Sequence, residues 1–288
     1  MPRPQPKRTG RARPRGPWKH GAIPVIGLIG GIGGGKSRVA AVLAEEGAFV
    51  IDADAVGHAL LDQRPVRELV VERFGERVLA SPGAGEADTD NVTDADRVTD
   101  THTSAPPSRG MLRIRPVAAV PPSIDRRVLG AIVFNQPAAL RQLEAILHPR
   151  MRRTFERAIA RTIRRGRARA VVLDAAILLE AGWDTLCDRI VFVEAPRDQR
   201  LARLSAARGW TEEMLEARES AQWPLDRKRA LADAVVVNDA GPESLQERVR
   251  RLAGSLLPPA RPPGANQVGS RVSPGPGRGR GADTSKRR

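Results

Sequence analysis

The chain has 288 residues, 41% of them hydrophobic, and a formal net charge of +15, which suits one folded domain with appendages and excludes a collagen-like or disulfide-built protein. Residues 1–22 carry seven Lys/Arg and no acid, and residues 254–288 carry seven against Asp283, so thirteen of the fifteen charges lie in the two ends. The near-neutral centre excludes a basic stripe for nucleic acid, no apolar run reaches the roughly eighteen residues that span a bilayer, and the single Cys187 forms no internal disulfide, in keeping with an expected cytoplasmic setting.

Taken in chain order, residues 1–22 are rich in Pro, Gly and Arg without apolar periodicity and are expected to be a disordered basic tail, as are residues 254–288. The start has neither the apolar core of a secretory signal nor the unbroken amphipathic helix of a transit peptide. Between the tails, short apolar runs at 25–29, 48–51, 170–174, 189–194 and 234–238 read as strands. Helical patterns fill 36–46, 53–61, 66–74, 124–134, 137–164, 199–207, 212–221 and 243–256. Near-continuous apolar strands alternating with helices predict an α/β fold, a parallel sheet with helices on both faces. Residues 81–123 break the rhythm, first acidic and Thr-rich, then proline-flanked, and 83–123 is expected to be a flexible insertion in which "MLRIRPVAAV" (111–120) adds a short edge strand.

The first strand runs into Gly30, Gly31, Ile32, Gly33, Gly34, Gly35, Lys36 and Ser37, a match to G-x-x-x-x-G-K-[ST] placed between a strand and a helix. Glycines leave backbone N–H groups free to converge on phosphate oxygens, Lys36 is expected to reach the β- and γ-phosphates of ATP, and the Ser37 hydroxyl to join the shell of a Mg2+ ion. At the end of the second strand stand Asp52 and Asp54. A carboxylate there can accept the proton of an attacking hydroxyl, which is the part expected of Asp54, or cap the following helix, which is the part expected of Asp52. Asp174 ends "AVVLD", a place for a carboxylate that holds Mg2+ through water, aligns an acceptor, or merely caps the strand.

Further segments carry a resemblance. "GLIGGIGGGKS", "VIDAD", "IDRRVL" with "AIVF", "LEAILHPRM", "VVLDAAILLEAGW", "DRIVFVEAP", "RLARLSAARGWT" and "AQWPLDRKRALADAVVVN" follow one another as in the dephospho-coenzyme A kinase family, over about residues 25–251. The resemblance implies a P-loop, nucleoside-monophosphate-kinase-like fold over 23–253: a five-stranded parallel sheet, a helical acceptor domain and a lid at 197–222. It implies ATP-dependent phosphorylation of the ribose 3′-hydroxyl of dephospho-coenzyme A, with Mg2+. Carried over by position, Asp54 is the catalytic base, Gly30 to Ser37 the ATP phosphate site, Arg203 a lid arginine approaching the transferring phosphate, and Asn238 a residue near the adenine. His148, within "LHP", falls in the acceptor domain.

The sequence also departs from the family pattern. Ile29, Gly34 and Arg38 replace polar residues around the loop without removing a backbone donor, and Ala176 and Leu179 stand where Pro and Phe are usual. His58 occupies the place of an arginine expected to contact the acceptor, and a neutral imidazole is a weaker anion contact than a guanidinium. The second lid arginine falls one residue late, at Arg208, usable if the helix ends there at Gly209. Two alternatives stay open: another small-molecule or nucleoside monophosphate kinase, and a P-loop ATPase acting on nucleic acid through the basic tails. Nothing in the sequence demands more than a monomer.

Overall fold

The computed structural model describes residues 17–80 and 123–259. The outer parts of both basic tails, most of the expected insertion and its strand at 111–120 lie outside them. The described elements are strands β1 (Val25–Gly30), β2 (Ala48–Asp52), β3 (Ala170–Asp174), β4 (Arg189–Glu194) and β5 (Ala234–Val237), with helices α1 (Lys36–Glu45), α2 (Ala53–Leu61), α3 (Arg64–Phe74), α4 (Arg126–Asn135), α5 (Pro137–Arg165), α6 (Arg197–Arg208), α7 (Glu212–Glu219), α8 (Leu225–Ala230) and α9 (Pro242–Leu256).

All five strands pair in parallel, in the order β2-β3-β1-β4-β5. Each strand alternates its side chains between two apolar layers, as the two-residue period of a strand requires. Val25 and Ile29 of β1 face α2 and α5 through Val56, Leu60, Met151 and Phe155, whereas Ile26 and Leu28 face α1 and α9 through Val39, Leu43, Leu245 and Val249. A third cluster lies apart from the sheet: Leu61, Val66, Val70, Phe74, Leu129, Val133 and Ala139 hold the end of α2 to α3, α4 and the start of α5 as a helical subdomain.

At both ends of the expected central domain, contacts extend beyond its bounds. The amino-terminal tail was placed at 1–22, yet residues 18–21 are clasped to the start of β4. Asp188 accepts the Lys19 and Val25 N–H groups through its two oxygens, each at 2.7 Å, and a His20 ring nitrogen lies 2.8 Å from the Leu186 carbonyl. At the other end, α9 continues to Leu256 and Leu257 is buried, so the tail begins later than residue 254. The insertion leaves and rejoins the fold at one place. Leu79 and Ile124 form an antiparallel bridge, the Ala80 N–H donates to Ser123 O at 2.8 Å, and the Asp125 N–H donates to Val78 O at 2.7 Å.

Candidate active site

Strand register brings the acidic residues to the loop. Leu28 of β1 pairs with Asp174 of β3, and Asp174 pairs with Asp52 of β2, so both carboxylates reach the carboxyl edge of the sheet beside the loop that follows β1. That edge is where open α/β sheets gather ligands.

The loop itself fits between neighbours with almost no space for side chains. Gly30 has φ 152°, and a Cβ there would lie 2.4 Å from the Val193 carbonyl oxygen of β4. Gly35 has φ 90° and caps α1, where a Cβ would lie 2.3 Å from Asn238 Nδ2. Both positions therefore need glycine for conformation as well as for room. Lys36 opens α1 and is buried; its Nζ donates to Gly31 O at 3.1 Å, which holds the ammonium at the concave side of the loop. The N–H groups of the first turn of α1 and the ammonium together make a seat for a polyphosphate.

Ser37 Oγ donates to Asp174 Oδ2 at 3.2 Å. A hydroxyl and a carboxylate side by side at a phosphate seat are hard oxygen donors of the kind Mg2+ takes from protein, the remainder of its shell coming from water and phosphate. Among the described residues no group of three or more His, Cys, Asp or Glu forms a metal cluster. An ion held largely through a nucleotide would need no such cluster.

Asp52 caps α2, its Oδ1 accepting the Ala55 N–H at 3.0 Å, as the sequence predicts. Asp54, in the first turn of the same helix, is exposed at the sheet edge. His58 follows it by four residues and so shares its helix face, partly buried. His148 lies further off, in α5, half-buried with its ring edge-on to Trp183 at 5.1 Å, and burial lowers its pKa.

Two residues expected at the ATP site also make contacts within the protein. Asn238 is buried and its Nδ2 donates to Gly34 O at 2.9 Å, so the amide braces the loop. Arg203 Nη2 donates to Gln199 Oε1 at 3.1 Å and to Asn238 O at 3.2 Å, which ties α6 to the end of β5. The arginine of α6 that touches the loop is Arg200, unremarked in the sequence. It is buried, donates to Ile32 O and Ala195 O, each at 3.2 Å, and pairs with Glu219 of α7. Helix α6 ends at Arg208 with Gly209 at φ 64°, the left-handed cap foreseen for it.

A second buried cation also escaped the sequence. Lys228 of α8 is fully buried; its Nζ pairs with Glu180 Oε1 at 2.8 Å and donates to Ala176 O at 2.8 Å and Gln222 Oε1 at 2.9 Å. Burial lowers its pKa, Glu180 opposes that shift, and the charge of Lys36 adds to it, so the pair belongs to the electrostatics of the loop. It fixes the segment that follows Asp174.

A parallel α/β sheet with a glycine loop, a buried loop lysine and carboxylates at the same edge defines a P-loop kinase. The family model described as dephospho-CoA kinase matches residues 24–90 and 117–244, interrupted only within the expected insertion. Among curated proteins the chain is 36% identical over 228 residues to the dephospho-CoA kinase of Synechococcus sp. (strain CC9605), covering 79% of this chain and 90% of that one. It is 35% identical over 259 residues to that of Symbiobacterium thermophilum, covering 88% and 92%. Its fold is similar to the crystal structure of TT1252 from Thermus thermophilus, with a TM-score of 0.58, 29% identity, and 81% and 98% of the two chains covered. The chain belongs to the dephospho-CoA kinase family, and membership implies ATP as co-substrate. Among the described residues no helix is long and apolar enough to cross a membrane.

Proposed function

We propose that this chain transfers the γ-phosphoryl group of ATP to the ribose 3′-hydroxyl of dephospho-coenzyme A, giving coenzyme A and ADP. Family membership supports the reaction, and the observation that carries the assignment of residues is the convergence of Lys36, Ser37, Asp174 and Asp54 on one edge of the sheet. The loop N–H groups and Lys36 hold the donor's phosphates. Asp54 accepts the proton of the 3′-hydroxyl as its oxygen bonds to the γ-phosphorus and the bridging P–O bond breaks, the electron pair passing to ADP. Asp174 and Ser37 would hold Mg2+, which would neutralise charge on the phosphates. The helical subdomain of α3 to α5 takes the acceptor with His58 and His148 on its side of the cleft, and α6 and α7 act as the lid that excludes water.

The test is ADP formation by the full chain with dephospho-coenzyme A, AMP or adenosine as acceptor, in Mg2+ and in excess chelator. Turnover confined to dephospho-coenzyme A and lost with chelator is expected. Comparable turnover on AMP or adenosine would shift the assignment to another acceptor, the alternative that His58 keeps open.

A further inference from the structure

Helix α4 places Leu129 and Val133 in the apolar cluster of the helical subdomain, yet the next residue, Phe134, is 54% exposed. An aromatic ring left so exposed beside a well-filled core calls for a second reason. Its ring meets Arg218 of α7, whose Cζ lies 4.9 Å from the ring centroid. The same guanidinium lies 4.0 Å from the centroid of Trp210, so Arg218 is shared by two aromatic faces from different parts of the molecule. Trp210 is buried with Leu204, Leu215 and Ile32, and Ile32 belongs to the phosphate loop. A continuous line of contacts therefore runs from the loop through Trp210 and Arg218 to α4.

The other cations of this region have different work. Arg197 and Arg200 pair with Glu212 and Glu219, which leaves those carboxylates committed along α6 and α7. Arg208 adds a second guanidinium 5.8 Å from the Trp210 ring, and burial, with the Arg208 charge adding to it, lowers the pKa of Arg218. Beside that second guanidinium, Arg218 also lies against Phe134, which offers it another electron-rich face.

We propose that Phe134 is a positioning residue for phosphoryl transfer: through Arg218 and Trp210 it joins the α6–α7 lid to the helical subdomain, so that the pose of the lid over the nucleotide depends on the part that takes the acceptor. The inference rests on the kinase reading above. It gives the acceptor a means of governing closure. A lid that closes without regard to the acceptor subdomain leaves the γ-phosphoryl group open to attack by water, whereas a lid tied to it assembles the water-free site when the acceptor is seated.

The test is a double-mutant cycle with Phe134→Ala and Arg218→Met, read as the ratio of ATP hydrolysis to phosphoryl transfer and as KM for the acceptor. Each single variant is expected to raise the ratio about 2- to 30-fold, the range a cation–π contact spans between exposed and desolvated settings. The double variant should be no worse than either single one, and Phe134→Trp should restore most of the loss. A purely structural role would instead lower the unfolding midpoint, which the exposed Phe134→Ala is expected to leave unchanged. Wild-type ratios in Phe134→Ala, or additive effects in the double variant, would overturn the proposal. If the wild-type chain transfers nothing to dephospho-coenzyme A, the kinase reading fails and the bridge is judged separately. Cleavage by a glutamyl-specific protease at Glu212 to Glu219 must then still be faster in Phe134→Ala than in wild type, and equal rates would overturn the bridge.

Discussion

Asn238, at the end of β5, and Gly35, at the end of the phosphate loop, occupy each other's only available space: the amide nitrogen stands 2.3 Å from where a Cβ on Gly35 would be. The last strand of the sheet thus sets the shape of a loop that begins more than two hundred residues earlier. Gly35→Ala is expected to raise KM for ATP about tenfold or more, because a non-glycine residue in a left-handed conformation costs about 1–2 kcal/mol before the clash is counted. Asn238→Ala should weaken ATP binding without that strain, by about 1–3 kcal/mol for the buried Gly34 carbonyl left without its donor. Nucleotide-induced shifts in melting temperature measure both.

The two aspartates of the second strand's end are expected to separate cleanly. Asp54→Asn should lower kcat about 100- to 10,000-fold, the usual worth of a positioned base, with KM for ATP nearly unchanged. Asp52→Ala loses the cap on α2 and should cost about 1 kcal/mol of stability with turnover kept within a few fold. Steady-state kinetics and urea unfolding of the two variants, run in parallel, decide the assignment; near-normal turnover in Asp54→Asn would remove it from the role of base.

The buried pair of Lys228 and Glu180 should behave asymmetrically. Lys228→Ala leaves the part-buried Glu180 carboxylate without its cation and is expected to cost about 3 kcal/mol. Lys228→Met combined with Glu180→Gln removes both charges and should recover much of that stability. Transfer activity is expected to stay low in the double variant, since Ala176 O has still lost the ammonium that fixes the segment after Asp174. Unfolding and turnover measured on the same samples separate these effects.

His148 gives the fold an acid-sensitive element. Burial holds its pKa below the ordinary 6.5, so above that pH it is neutral whether the chain is folded or not. As the pH falls through 6.5 the unfolded chain takes up a proton that the folded site resists, and stability declines until the folded pKa is passed. Denaturant titrations on both sides of this window should show a smaller loss in His148→Gln than in wild type. An equal loss in both would trace the acid sensitivity elsewhere.

The sheet was legible because strands covered on both faces are written as unbroken apolar runs, and all five fall within a residue of where the pattern puts them. Helix α8 was not legible. Its six residues, Leu-Asp-Arg-Lys-Arg-Ala, present no apolar face, and its buried member, Lys228, is buried by ion pairing that depends on a residue 48 positions away. The contact of Arg200 with the loop was hidden for a related reason. Which arginine of α6 meets the loop is set by the phase in which Leu204 packs on Ile32, and Arg200 lies one turn before Leu204 on that same face. The clasp at residues 18–21 left no signal, because its partner Asp188 is joined to it by the fold alone.

The bridge between Leu79 and Ile124 makes a fixed socket of the two chain ends that flank residues 81–122. Closing a loop costs an entropy that grows only with the logarithm of its length, about 0.6 kcal/mol for each doubling. Chain can therefore be gained or lost at this socket over generations while α3 and α4 keep their spacing, and the enzyme beneath is free to acquire an appendage without redesign. For the same reason, the socket is the natural port at which to graft a reporter.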